Sequence, residues 1–371
     1  MNAGTIATQR EASRGVARRT VLGLLAASPF VLAAITESAA KGKTDKRKKT
    51  FCLNGNIVKA KHKKKKNRLR AQGATRGQCQ PQPSCPAGTV SIAGVCTPCT
   101  TPCAGSAAEC GAELTAALLT GGTIILCPGT YAGTFTVSVD GTTLIGAGSG
   151  TDAASNSIID AKGAGSVFSV APNVGTYFSL LRITGGSILD FKGAGIHVDA
   201  SASGPLTVAN CVFADNQSLN GNNSGAGGIQ TNGQVLISST EFIDNKTQYY
   251  GGGMAMYGPD TLPLSTISDC TFTGGEGGYA GGAFFVTNQS VSVTGTTMTR
   301  NSAQEGGAIY ASGGVTTTLT FDSASSITGN TATSVGGAGG IYTPAGGTVV
   351  TLNGATVTNN ITVNCSNVTG C

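Results

Sequence analysis

From residue 123 onward, short runs of apolar and β-branched residues recur, and glycine, proline, asparagine or aspartate separates the runs. Short runs of this composition bounded by turn residues mark strands. They predict strands at 123–126, 135–137, 143–145, 157–159 and 167–170. Ahead of them, residues 109–119 carry a helical pattern. Leu114, Leu118 and Leu119 fall on its apolar face, and Gly121-Gly122 end it. This helix is placed to cap the hydrophobic end of a stack of strands.

Beyond residue 200 the pattern becomes periodic. An apolar-x-x-Asn motif recurs at Phe213–Asn216, Phe242–Asn245, Met298–Asn301, Ile327–Asn330 and Val357–Asn360, with a degenerate copy at Phe272–Gly275. A second motif interleaves with it at Gly227-Gly228, Gly252-Gly253, Gly281-Gly282, Gly306-Gly307 and Gly339-Gly340. The step is about 29 residues. A unit of that length with three short strands and no helix cannot bury its own apolar face, whereas stacking equivalent units buries a continuous core. In such a stack Asn216, Asn245, Asn301, Asn330 and Asn360 are structural turn residues. They are expected to take the left-handed corner conformation and to bond to one another in an amide ladder. The glycine pairs are expected to permit a second tight turn. Phe213, Phe242 and Phe272 stack inside. Cys211 and Cys270 lie two coils apart, roughly 9.6 Å by the strand spacing, which exceeds disulfide reach and predicts buried free thiols.

Composition adds the reason for the pattern. Glycine supplies 56 of 371 residues, roughly twice the usual share. Charged residues are only 11%, aromatics 5%, and there is no Trp. A chain that is 40% apolar is not disordered by composition, and 12 prolines are too few for collagen. The fold class is therefore all-β and repetitive.

Charge and cysteine divide the chain. Residues 1–110 hold 19 Lys+Arg against 4 Asp+Glu, and residues 111–371 hold 5 against 14. Residues 1–40 read as a signal peptide, with Arg18-Arg19 ahead of an apolar run at 21–35 and the small residues Ser38-Ala39-Ala40 as a cleavage site. The arginine pair fits a twin-arginine export signal. An ordinary signal in which two arginines fall together is the alternative. No second long apolar run follows, so no transmembrane segment is expected in the mature chain.

Residues 41–80 form a basic module, with a hairpin about Asn54-Gly55 and a candidate Cys52–Cys79 disulfide. Lys61, Lys63, Lys64, Lys65, Lys66, Arg68 and Arg70 are the candidate polyanion-binding residues, acting through counterion release. A solvated basic linker is the bland reading. No aromatics interleave the lysines, so no specific nucleic acid is indicated. Residues 81–109 form a Cys/Pro/Thr-rich linker. Cys96-x2-Cys99 could open a zinc site, but no second pair follows at metal spacing, and disulfides are favoured in an exported chain. Cys110–Cys127 and Cys365–Cys371 are further candidate pairs. No metal site is assigned.

The stretch Gly122-Thr-Ile-Ile-Leu-Cys-Pro-Gly-Thr-Tyr131 and the turn Thr143-Leu-Ile-Gly-Ala-Gly148 resemble the opening coils of the right-handed parallel β-helix in the pectin-lyase-like superfamily. The paired F-x-x-N and G-G-A-I repeats are similar to those of the polymorphic outer-membrane protein family. The resemblance covers about residues 110–371. It implies a single-stranded right-handed β-helix, and by the second family a surface adhesin. Unlike that family, this chain has no C-terminal run of aromatic strands to form a membrane barrel.

The fold also hosts polysaccharide lyases and glycoside hydrolases, which use clustered acids with calcium and a basic residue, or paired carboxylates. Asp160, Arg182, Asp190, Lys192, His197 and Asp199 are the catalytic candidates on that alternative, beside Lys162, with calcium the cofactor only for a lyase. Scattered polar turn residues are the bland reading of the same set. Otherwise no cofactor is expected. The favoured expectation is a bacterial, exported, non-catalytic protein of the cell surface or extracellular space. Its arm would hold cell-wall or extracellular polyanions. Its body would meet glycans or surface proteins of a host or neighbour, with Tyr249, Tyr250, Tyr257, Tyr310 and Tyr342 among the contact residues.

Overall fold

The computed structural model of the chain describes residues 49–53, 56–60, 75–76, 85–198, 204–219, 225–259, 261–313, 317–344 and 348–371. In the basic module, strands Lys49–Leu53 and Asn56–Ala60 pair antiparallel, with Leu53 opposite Asn56 across the two residues Asn54-Gly55. The short strand Thr75–Arg76 pairs on the other side of the first. The Cys52–Cys79 pairing and the basic run from Lys61 to Arg70 lie outside the described residues.

The body is an all-β parallel solenoid. Three nine-stranded sheets run its length, and every strand-to-strand contact within them is parallel between successive coils. The first sheet holds the motif strands, among them Val212–Ala214, Glu241–Ile243, Thr271–Thr273, Thr297–Thr299 and Ser326–Thr328. The second holds Ile229–Thr231, Met254–Tyr257, Phe284–Thr287 and Ile309–Ser312. The third holds Leu206–Ala209, Val235–Ser238, Ser265–Ser268 and Ser290–Thr294. A fourth sheet of six short strands, not foreseen from the pattern, widens the coil between the first and second. It includes Lys246–Thr247, Glu276–Ala280, Ser302–Glu305 and Thr331–Ala332.

Stacking places like on like. Phe213 and Phe242 lie 5.0 Å apart between ring centroids, and Phe242 and Phe272 lie 4.5 Å apart with parallel planes. All three are fully buried. Burying each ring contributes about 2–3 kcal/mol, with about 1 kcal/mol more per stacked pair. Cys211 and Cys270 are buried free thiols two coils apart. Thr240 occupies the register position between them and receives the Cys211 N–H at its hydroxyl.

The corners divide their labour differently from expectation. The ladder asparagines are not the left-handed residues. The residue before each one is: Asp215 (φ 56°), Asp244 (φ 50°), Arg300 (φ 58°), Gly329 (φ 69°) and Asn359 (φ 59°). This turn aims the next side chain inward. Asn216 Nδ2 then donates to Asn245 Oδ1 at 3.0 Å, Asn301 to Asn330 at 2.9 Å, and Asn330 to Asn360 at 3.0 Å.

The glycine pairs serve two purposes: Gly281 (φ 69°) and Gly306 (φ 62°) make the expected left-handed turn, whereas other members of the pairs are required by close approach. Gly228 and Gly253 are register partners ahead of Ile229 and Met254. A Cβ on Gly253 would stand 2.6 Å from the Ala283 carbonyl oxygen and 2.8 Å from the Phe272 ring. Glycine is needed there because the next coil and the phenylalanine stack pass too close for any side chain.

Among the described residues one helix precedes the solenoid, α1 at Ala107–Thr120. Ser106 and Glu109 form a capping box, with the Ser106 N–H donating to Glu109 Oε2 at 2.7 Å. Those hydrogen bonds hold the Glu109 carboxyl below its usual range. Cys110, Leu114 and Leu118 are buried against the first coils, while Leu119 is 73% exposed. Leu119 sits about 100° around the helix from Leu118 and so leaves the face that Leu114 and Leu118 share one turn apart.

The cysteine framework corrects one pairing. Cys127 bonds to Cys99 and Cys110 to Cys103, so the expected Cys110–Cys127 bridge does not form. The reason is an extra strand-like segment. Thr101 bridges Leu126 in parallel, laying residues 99–103 along the outer edge of the first coil, where Cys99 reaches Cys127 and Cys103 reaches the helix. The Cys96-x2-Cys99 pair is split between two disulfides, since Cys96 bonds to Cys85. Cys365 bonds to Cys371.

Candidate binding face

The outer surface of the solenoid is mostly threonine and serine, and one flank departs from that. On the second sheet the two-residue alternation turns Met254, Phe284, Ile309 and Ile341 inward and Ala255, Phe285, Tyr310 and Tyr342 outward, all in register. Phe285 and Tyr310 lie 5.6 Å apart, and Tyr310 and Tyr342 5.3 Å apart. Tyr250 packs 4.3 Å from Phe285, and Tyr257 5.3 Å from it. From the adjoining fourth sheet, Tyr279 stacks on Tyr249 at 5.3 Å and approaches Tyr310 at 6.4 Å. Six of the eight tyrosines of the chain thus gather in one cluster, separate from the solenoid core.

The cluster mixes stacked pairs, such as Phe285–Tyr310 and Tyr310–Tyr342, with edge-on ones, such as Tyr249–Tyr250 and Tyr250–Tyr279. Burial pushes the Tyr250 phenol up to about 12, reinforced by Tyr249. Burial also raises Tyr279, Tyr310 and Tyr342, and the nearby Glu305 carboxylate adds to the rise in each.

Beside this cluster the fourth sheet carries a channel of about 510 Å³. Its floor has a physical cause. Thr247, Gly277, Ala303 and Ala332 are register partners that face inward. The next residue outward is Gln248, Gly278, Gln304 and Thr333 in successive coils, so Gly278 leaves a gap between two glutamine side chains. A Cβ on Gly278 would collide with the Gln248 carbonyl oxygen. Along one side runs the Lys246–Glu276 ion pair at 3.0 Å, with Ser302 in the next coil. Tyr279 and Glu305 follow the lining residues Gly278 and Gln304 in sequence, and the Glu305 carboxylate raises the Tyr279 phenol. The flank offers amide and hydroxyl hydrogen bonding beside an apolar wall.

The catalytic candidates fall on different faces. Asp160 and Arg182 share the outer face of the first sheet as diagonal neighbours, since Asp160 pairs with Thr184 and Arg182 with Ile158. Asp160 is tied to Lys162, two residues on, by an ion pair at 2.8 Å. Asp190 and Lys192 pair locally at 3.7 Å in the loop between the fourth and second sheets. His197 is buried on the second sheet between the strands carrying Ser169 and Gln230. Asp199 lies outside the described residues. Among the described residues no three His, Cys, Asp or Glu side chains converge as a metal site.

The residues that sequence reasoning missed on this flank are Tyr279, Phe285, Gln248 and Gln304. A usable signal was present for one of them. The position after the inward apolar residue of the glycine motif is aromatic in three successive coils, as Phe285, Tyr310 and Tyr342.

No described helix is long and apolar enough to cross a membrane. The chain matches no protein-family model, no curated protein and no solved structure, and what it is known to be is a parallel β-helix with four disulfides among its described residues.

Proposed function

We propose that the chain is an exported, non-catalytic β-helix of the bacterial cell surface or extracellular space. Its basic arm holds it to cell-wall or extracellular polyanions, and its solenoid presents a contact flank to neighbouring surfaces. The observation that carries this reading is the gathering of six of the eight tyrosines on one flank across successive coils. Tyrosine combines a large apolar body with a polar tip and loses little conformational entropy on contact, which is why it is enriched at recognition surfaces. The resemblance of the repeats to the polymorphic outer-membrane proteins supports the same reading. The four disulfides suit an oxidising compartment, as a twin-arginine or other export signal in residues 1–40 requires.

The test couples the full chain to beads and measures adhesion to neighbouring bacterial and host cells. Tyr249→Ser/Tyr279→Ser should reduce adhesion at least about tenfold, the loss expected when anchor side chains go, in a variant whose far-UV circular dichroism shows the solenoid folded. Equal adhesion of the folded variant would refute the reading.

A further inference from the structure

We propose that the channel between Gln248 and Gln304 is a saccharide site, which takes neutral oligosaccharides running along the solenoid axis. This deepens the adhesive reading and rests on it, by naming one ligand class for the same flank. Three observations carry it. The two glutamines line one groove from coils two apart, roughly 9.6 Å by strand spacing, and the bare Gly278 lines it from the coil between, where the register shifts between Gly277 and Ala280. Each amide offers a donor and an acceptor side by side, the pattern that pairs of adjacent ring hydroxyls match. The groove of about 510 Å³ is shallow and open to solvent, which suits an extended chain laid on the surface rather than an enclosed small molecule.

Charge decides among glycans. The lysine at the channel, Lys246, is paired with Glu276. Glu305 follows the lining residue Gln304 in sequence and forms no ion pair with a basic side chain among the described residues, which leaves the groove acidic. Residues 201–371 hold eight Asp+Glu and two Lys+Arg. A uronate or sulfated chain would therefore meet repulsion where a neutral one meets hydrogen-bond partners. Axial direction follows from the channel itself, whose row Gln248, Gly278, Gln304, Thr333 is a coil-by-coil series.

The test is calorimetric titration of the full chain with xylohexaose, cellohexaose and mannohexaose, alongside oligogalacturonate and a sulfated heparin fragment. At least one neutral hexaose should bind, with affinity little changed by added salt, since no ion pair with the ligand is involved. Gln248→Ala/Gln304→Ala should weaken it about tenfold or more, because each lost amide removes at least one hydrogen bond. Both glutamines are exposed and the melt of the variant should match the wild type. Failure of every neutral hexaose to bind, tighter binding of an anionic chain, or unchanged affinity in the double variant would overturn the proposal. Bead adhesion of the same variant separates the two readings. In the wild-type chain, adhesion with no neutral hexaose bound sinks the saccharide site alone, and hexaose binding with no adhesion sinks the adhesive reading alone; in the variant, loss of hexaose binding with adhesion kept leaves the saccharide site standing and separates it from the adhesive contact.

Discussion

Replacing Asn330 by alanine should remove four hydrogen bonds at once. Asn330 is fully buried. Its Nδ2 donates to the Met298 carbonyl and to Asn360 Oδ1, each at 3.0 Å. Its Oδ1 accepts from the Asn301 backbone N–H at 3.0 Å and from Asn301 Nδ2 at 2.9 Å. Each net bond contributes about 1 kcal/mol, and a buried partner left unsatisfied costs about 1–3 kcal/mol. The expected loss is about 4 kcal/mol, a large share of a typical domain stability. Asn360 makes the same kinds of bond in a more exposed coil, where water can replace them, so Asn360→Ala should cost about 1–2 kcal/mol. Asn330→Asp keeps the shape but turns a carboxylate toward two acceptor oxygens, and at neutral pH should destabilise at least as much as alanine. Urea unfolding followed by far-UV circular dichroism reads all three, since the chain has no Trp. An Asn330→Ala loss under about 1 kcal/mol, or an Asn330→Asp variant as stable as the wild type, would refute the ladder as a structural element.

The ladder has one natural gap at Gly275, and Gly275→Asn should destabilise rather than repair it. A Cβ there would collide with the Gly282 carbonyl oxygen; a raised urea midpoint would contradict this. Burial pushes the Cys211 and Cys270 thiols up to about 12. Neither should react with a thiol reagent at pH 8 in the folded chain, and both should react once it is unfolded. The Tyr250 phenol is raised above its unfolded value of 10.0 to about 12. Its contribution to stability is fully present below pH 10 and is lost as pH rises through 12. Phenolate absorbance should therefore lag behind that of a denatured chain between those values, and coincident curves would count against the packed cluster.

Much of the fold was legible because the same local problem is solved repeatedly. The apolar-x-x-Asn spacing survives five copies, and its register is the register of the first sheet, from Phe213 to Val357. What the sequence hid is what depends on neighbouring coils. The left-handed corner residue varies among Asp, Arg, Gly and Asn, so no residue type marks it. The need for glycine at Gly253 arises from the Phe272 ring of the next coil. The pairing of Cys99 with Cys127 follows from a bridge between Thr101 and Leu126 that no spacing rule anticipates. The tyrosine cluster is scattered in sequence from Tyr249 to Tyr342 and assembles only when successive coils are laid in register. The fourth sheet escaped notice because several of its strands are two residues long, too short for a period to show. The catalytic candidates cluster in sequence, yet the solenoid winds them onto different faces.

The proposed function divides the chain into a basic arm that would attach and a solenoid that would present. Its most direct test is the distribution of the protein between cells and medium when residues 41–79 are deleted. The account predicts release of a folded solenoid into the medium that still adheres to neighbouring cells once coupled to beads. Retention of the deleted form on the producing cells at the wild-type level would contradict it.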